Sequence, residues 1–429
     1  MMATVMRAGR FLTAGALVAA GVWGRPAPVP ARAAQGLADT QPGATIPWDL
    51  PKLFQPPRTW PAEGFQSEGV QAIFYEGEPF EGKPTRVFAW VGFPDLKDGA
   101  KAPGIVLTHG GAGTAFSKWV RLWTARGYAA IAMDTCGHVP TPDGKGLAGR
   151  HAWAGPEGWG GFGQVDRPVK DQWTYHAVAA VIRAHSLLRS FQQVDADRTG
   201  TTGISWGGWL TSIAAPLDGR LKFAIPIYGC GFLQADSFLV PSLNSLGPAR
   251  ARAWQDLWEP SRYLPRARLP MLWVAGTSDF AYPLSCLQKS YRATPTRDVL
   301  CVRVGMAHGY EPGWAPAEIA AFADSVVRDG VPLPEIAAQG RDGDRLWVTW
   351  RSRSKVVRAE LCHTSETGLW QKRKWQAVAA ELDLAAARAS AAIPAGARVG
   401  YLNLIDDRGL VVSGEHVELP AEPPAAAGR

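Results

Sequence analysis

The stretch TTGISWGG, Thr201 to Gly208, decides the fold. It holds the pattern Gly203-Ile204-Ser205-Trp206-Gly207, a serine flanked at two positions by glycine. Before it, RTGTTGIS reads as a buried strand; after it, WGGWLTSIAAPL reads as a helix. A chain that passes from strand to helix in so few residues must bend sharply, and Cβ atoms at the flanking positions would clash in the bend. The serine then stands at the apex, above the sheet and beside a helix N-terminus. Ser205 is therefore read as a nucleophile rather than as a helix N-cap.

Outward from the turn, short apolar runs alternate with helical ones. APGIVLTHGG, YAAIAMDTCG, FAIPIYGCG, MLWVAGTSD and VLCVRVGMAHG read as strands. FSKWVRLWTARG, QWTYHAVAAVIRAHSLLRSF, LSCLQKSYRA and AEIAAFADSVVRDG read as helices, the second of them long and amphipathic. This alternation predicts an α/β fold, a mostly parallel sheet covered by helices on both faces. VQAIFYEG and TRVFAWVGFP predict an antiparallel pair at the sheet edge. Residues 34–66, rich in Pro and Gly, read as an extended segment, with the α/β body over 67–331. Residues 138–170 have no period and many Gly and Trp, as expected of a lid or binding loop. From 332 to 420, runs such as DRLWVTWRS, VVRAELCHTS and RVGYLNLIDD predict a β-sandwich of immunoglobulin-like size. The tail 421–429 reads as disordered.

A nucleophilic serine needs a base, and the base needs an orienting carboxylate. After a turn of this type the chain order is Ser, then Asp or Glu, then His. His308, His363 and His416 follow Ser205, and only His308 ends a strand of the α/β region. Between them, Asp279 alone stands at a strand's C-terminal end, where open α/β sheets build their sites. Asp218 reads as a turn, Asp256 lies in a helical run, and Asp298 precedes its strand. The expected catalytic set is Ser205, Asp279 and His308. Its oxyanion would be held by the backbone amides of Trp206 and of Gly111 in THGGAGT, with His109 bracing that loop. The glycine run lacks the spacing and the Lys-Ser/Thr pair of a phosphate loop. Among 19 tryptophans, Trp173, Trp206 and Trp314 are the candidates for substrate contact, as indole faces suit sugar rings and acyl groups; core packing is the alternative use of most of them.

With VDADRTGTTGISWGG, GTSDFAYP and MAHGY in view, the sequence over roughly 70–330 resembles the α/β-hydrolase superfamily. Within it, the chain is similar to the acetyl xylan esterase, dienelactone hydrolase and prolyl oligopeptidase group. The resemblance implies a serine hydrolase that cleaves carboxylic esters through an acyl-enzyme, a carboxylesterase or an acetyl (carbohydrate) esterase, with no metal or organic cofactor. The chain departs from dienelactone hydrolases in carrying Ser205 where they use cysteine. It also lacks the room for a large propeller ahead of the hydrolase region. A serine peptidase acting on short peptides is the alternative, and a non-catalytic binding protein on the same scaffold is the second.

Charge and cysteine content bound the partners. The net charge is +7, but four arginines and no acid lie in 1–33, leaving 41 bases against 38 acids. A near-neutral body excludes a nucleic-acid reading, and a small-molecule or saccharide ester is the expected partner. Residues 1–33 combine Arg7 and Arg10, the apolar run FLTAGALVAAGVW and small residues at Ala31 and Ala33. That pattern predicts a cleaved signal peptide, a periplasmic or extracellular protein, and no stable membrane insertion afterwards. Of the five cysteines, Cys286 and Cys301 could bridge; buried free thiols are the other reading.

Overall fold

The computed structural model describes residues 46–141, 146–296 and 298–419. The expected signal peptide, the first part of the extended segment and the tail lie outside the described residues.

Nine strands form the main sheet: β1 (Thr59–Pro61), β2 (Gln71–Glu76), β3 (Arg86–Gly92), β4 (Ala102–Thr108), β5 (Ala129–Met133), β6 (Val194–Ile204), β7 (Phe223–Ile227), β8 (Leu272–Ser278) and β9 (Val299–Ala307). Their order is β1-β2-β3-β5-β4-β6-β7-β8-β9. The first three are antiparallel, and β5 onward runs parallel. Strands β4, β5 and β7 are buried at every residue, which explains why they read as unbroken apolar runs. Helices α1 (Ser117–Thr124), α2 (Trp173–Ser190), α3 (Trp206–Leu217), α4 (Leu284–Ala293) and α5 (Glu318–Val327) connect or cover them.

Two expectations change in detail. The antiparallel pair β2–β3 is not the outermost, because Thr59–Pro61 adds one more strand against β2. Three residues are too few to show a period-2 signal. Helix α2, expected to be amphipathic, is buried almost all round. Its outer side is covered by the segment read as extended: Trp48 Nε1 donates to the Tyr175 carbonyl at 2.9 Å, and Ser186 Oγ donates to the Leu53 carbonyl at 2.7 Å.

The C-terminal region forms two antiparallel sheets, as a sandwich requires. Strands β10 (Glu335–Asp342), β11 (Arg345–Arg351), β14 (Glu381–Asp383) and β15 (Arg388–Ala392) make one sheet. Strands β12 (Val356–Thr364), β13 (Gln376–Ala379), β16 (Val399–Asp406), β17 (Val411–Ser413) and β18 (Val417–Glu418) make the other. Leu346, Val348, Leu361, Ala389, Leu402 and Leu404 fill the space between them. The second sheet also turns a face to the α/β body. Cys362, Val399, Tyr401 and Val412 join the core of the main sheet, and Ser413 Oγ accepts the Val302 amide at 2.8 Å.

All five cysteines are buried and free, so Cys286 and Cys301 are not bridged.

Candidate active site

Five of the parallel strands each deliver one functional residue at the carboxyl end. Thr108 of β4 lies opposite Gly203 of β6, Ile204 opposite Ile227 of β7, and Ser278 of β8 opposite Ala307 of β9. The next residues along the chain are His109, Ser205, Tyr228, Asp279 and His308. The five therefore gather at one edge of the sheet, outside the carboxyl ends of its strands.

Ser205 occupies a backbone conformation with φ 58° and ψ −120°, which L-residues adopt only under constraint. The constraint is close packing of the bend. A Cβ at Gly207 would lie 1.9 Å from the Thr108 carbonyl oxygen, and one at Gly203 would lie 2.1 Å from the Gly207 carbonyl oxygen. Only glycine lets α3 and β4 approach this closely. The Ser205 amide donates to the Ile227 carbonyl at 2.9 Å, and its carbonyl accepts the Trp209 amide at 2.9 Å. The side chain is left half-buried at the apex.

His308 Nε2 is 2.9 Å from Ser205 Oγ, and His308 Nδ1 is 3.0 Å from Asp279 Oδ1. Asp279 Oδ1 also accepts the amides of Ala281 at 2.7 Å and Tyr282 at 3.0 Å, which fixes the carboxylate. A carboxylate oxygen only accepts, so Nδ1 carries the imidazole proton and Nε2 is free to accept from the serine hydroxyl. Tyr228 packs against the imidazole at 4.6 Å between centroids, and its hydroxyl donates to the Ala307 carbonyl at 2.9 Å. The other aspartates considered from sequence are engaged elsewhere. Asp218 pairs with His185 and Arg220, Asp256 with Arg252, and Asp298 accepts from Trp273.

Gly111 lies beside Trp206: a Cβ there would come 3.1 Å from the indole Cδ1. The Trp206 amide is the first of α3, with no helical carbonyl one turn behind it. The loop that carries Gly111 is braced from two sides. His109 Nδ1 lies 2.9 Å from the Gly110 carbonyl, and its Nε2 accepts the Thr135 amide at 3.1 Å. Burial pulls the His109 pKa down to about 4, so this ring is a neutral brace and not a second base. From the other side, Tyr310 Oη donates to the Gly111 carbonyl at 3.2 Å. A Cβ at Gly113 would overlap that hydroxyl at 1.8 Å.

The tryptophan candidates divide. Trp173 is fully buried, its Nε1 donating to the Thr135 carbonyl at 2.7 Å, so it has no surface to offer a ligand. It packs with Trp206, Trp209 and, through Trp209, Trp254. Trp206 keeps 7% of its surface, and Trp314 is half-buried against Phe116 and Trp119. Most of these indoles are thus packing beneath the nucleophile. The Gly160–Phe162 part of the expected lid or binding loop is pinned on this cluster: Phe162 packs on Trp206 and Trp254, and Trp254 Nε1 donates to the Gly160 carbonyl at 2.6 Å. Sequence reasoning passed over Tyr228, Tyr310 and Phe280. The last two had a signal, as the closing residues of the MAHGY and GTSDF motifs. Among the described residues, no group of His, Cys, Asp and Glu side chains is arranged to hold a metal ion.

Residues 64–235 match the acetyl xylan esterase (AXE1) family model. The matched span holds Gly111, Ser205 and Trp206; Asp279 and His308 fall beyond it. Among solved structures, the acetyl xylan esterase from Paenibacillus sp. R4 superposes with a TM-score of 0.54 at 19% identity, covering 67% of this chain and 98% of that one. Acetyl xylan esterase 1 from Thermoanaerobacterium sp. JW/SL YS485 gives 0.50 at 16% identity, covering 66% and 94%. At these identities the likeness concerns the fold, and the fold is that of an α/β-hydrolase. Both acetyl xylan esterases are matched over nearly their whole length, so about a third of this chain lies outside the shared part.

Proposed function

We propose that this protein is a serine esterase that cleaves carboxylic esters, with acetyl esters of carbohydrates as the favoured class. One observation carries the reading: a single imidazole lies 2.9 Å from the Ser205 hydroxyl and 3.0 Å from the Asp279 carboxylate. The match to the acetyl xylan esterase family model supports the ester class.

Chemistry follows from the tautomer. Ser205 Oγ attacks the ester carbonyl carbon while its proton passes to His308 Nε2. Asp279 stabilises the imidazolium that forms, and the amides of Trp206 and Gly111 receive the charge that grows on the carbonyl oxygen. The C–O bond to the alcohol breaks, and the leaving oxygen takes the proton from Nε2. Water, deprotonated by the same nitrogen, then attacks the acyl-enzyme and releases the acid and the free serine. In this reading residues 67–331 carry the reaction, residues 332–420 support it, and residues 1–33 direct export.

The test is Ser205→Ala. Turnover of phenyl acetate should fall at least about 10⁴-fold, with circular dichroism unchanged. A fluorophosphonate probe should label the parent and not the variant. Activity at the parent level in Ser205→Ala would overturn the assignment. Aminoacyl amides assayed beside acetyl esters separate an esterase from a peptidase, and faster turnover of the amides would favour the latter.

A further inference from the structure

Two large apolar side chains stand in water beside the imidazole. Phe280 is 49% exposed and Phe238 is 53% exposed. Their rings meet edge to face at 5.5 Å, and the Phe280 ring meets the His308 ring at 4.8 Å. Phe280 follows Asp279 directly in the chain, and the Phe238 amide donates to the Ala281 carbonyl at 3.3 Å. The two rings are thus built onto the same turn that fixes the carboxylate. Exposed apolar residues scattered singly need no explanation, but a contiguous pair at a site does. Trp153, another exposed aromatic, is by contrast covered by the Arg86 guanidinium at 4.1 Å.

We propose that Phe238 and Phe280 form a shelf that binds the alcohol half of the substrate, and that this half is a ring with an apolar face. The inference rests on the esterase reading above. Its logic is positional. The leaving oxygen collects its proton at His308 Nε2, so it must lie against the imidazole when the C–O bond breaks. Whatever is bonded to that oxygen extends past the imidazole, where Phe280 stands. The acyl half stays bonded to Ser205 and has no such tie to this ring. Two phenyl groups at a 77° interplanar angle offer one face and one edge, which suits a flat aryl ring or the C–H face of a pyranose better than a straight alkyl chain.

The experiment holds the acetyl group constant and varies the alcohol. Full-length parent, Phe280→Ala, Phe238→Ala and Ser205→Ala are compared on phenyl acetate, an acetylated pyranoside and ethyl acetate, and on phenyl butyrate for the acyl side. For the phenylalanine variants, kcat/KM should fall about three- to tenfold on a ring alcohol, through KM. On ethyl acetate it should stay within about twofold of the parent, and the acetate-to-butyrate ratio should not move. A loss on either ring substrate supports the shelf and names its ring. An equal loss on all alcohols, ethyl acetate included, would show that the rings only hold His308 and would overturn the proposal, as would a shift confined to the acyl series. Failure of the underlying reading is separate: it would appear as activity remaining in Ser205→Ala, whatever the phenylalanine variants do.

Discussion

At Asp279, one oxygen accepts three hydrogen bonds, from His308 Nδ1 and from the amides of Ala281 and Tyr282. Oδ2 is buried and has no partner among the described residues. An asparagine can keep all three contacts only by placing its NH₂ at the buried, partnerless Oδ2 position, and being neutral it does not stabilise the imidazolium. Flipped, it loses the amide contacts and turns the NH₂ to the imidazole, which favours the tautomer with the proton on Nε2, unable to accept from serine. Asp279→Asn should therefore lower kcat about 10⁴-fold at neutral pH and leave the thermal midpoint within a few degrees, read by steady-state kinetics and a melting curve. Activity within tenfold of the parent would remove Asp279 from the set. The site was legible to this depth because its residues are tied to strand ends and chain order, and both can be read from sequence. Trp173 was misjudged for the opposite reason. Indoles near a nucleophile can face the cleft or the core, and only the hydrogen bond to Thr135 reveals which. Phe280 went unnoticed because a phenylalanine in a strand-end turn ordinarily turns inward.

Elements meet at two places that carry strain or charge. The first is the closeness of α3 to β4 at Gly207. Gly207→Ala sets a methyl against two carbonyl oxygens, of Thr108 at 1.9 Å and His109 at 2.6 Å, and neither can move without disturbing the strand. We expect a loss of about 2 kcal/mol or more in urea unfolding, and inactivity. Gly219→Ala, where a Cβ meets nothing within 4 Å, is the neutral control. The second is the buried network between α2, α3 and β6. His185 Nδ1 lies 2.7 Å from Asp218 Oδ2, its Nε2 lies 2.8 Å from Thr199 Oγ1, and Arg220 donates to both Asp218 oxygens. Burial pushes the Asp218 carboxyl up, but the hydrogen bonds from Arg220 and His185 outweigh it and hold the pKa below the ordinary 3.8. The unfolded chain thus takes up this proton first. The stability that Asp218 contributes is present above 3.8 and drains away as pH falls through the lower folded-state value. Asp218→Asn should lower the thermal midpoint at neutral pH and make its decline below pH 3.8 shallower; an unchanged acid limb would argue against the network. None of this was visible in LDGR, which reads as a turn. A buried ion pair leaves no periodic trace, whereas strands β4 and β7 announced themselves by unbroken apolar composition.

Across the whole molecule, the C-terminal sheets do more than follow the α/β body. Tyr401 Oη donates to the Val302 carbonyl of β9 at 3.3 Å, and Arg292 of α4 pairs with Glu415. Chain ended at residue 331 would expose the part of the core that Cys362, Tyr401 and Val412 complete, so this fragment should be recovered insoluble or unfolded. A subtler link reaches the site. Trp370 Nε1 donates to Asp236 Oδ2 at 2.7 Å, and Ser285 Oγ donates to the same oxygen at 3.0 Å. Asp236 ends the short helix Leu233–Asp236, two residues before Phe238. His416 and Arg373 pack on the Trp370 ring and hold it in place. The appended sheets thereby position the segment that presents the proposed shelf. Trp370→Phe keeps the apolar bulk and removes the donor. If the bond sets Phe238, the preference for phenyl acetate over ethyl acetate should weaken about two- to threefold, with the melting temperature nearly constant. If Trp370 only props the fold, both substrates will decline together with the melting temperature. The ratio of the two kcat/KM values decides, because a loss of folded enzyme scales both alike and cancels from it.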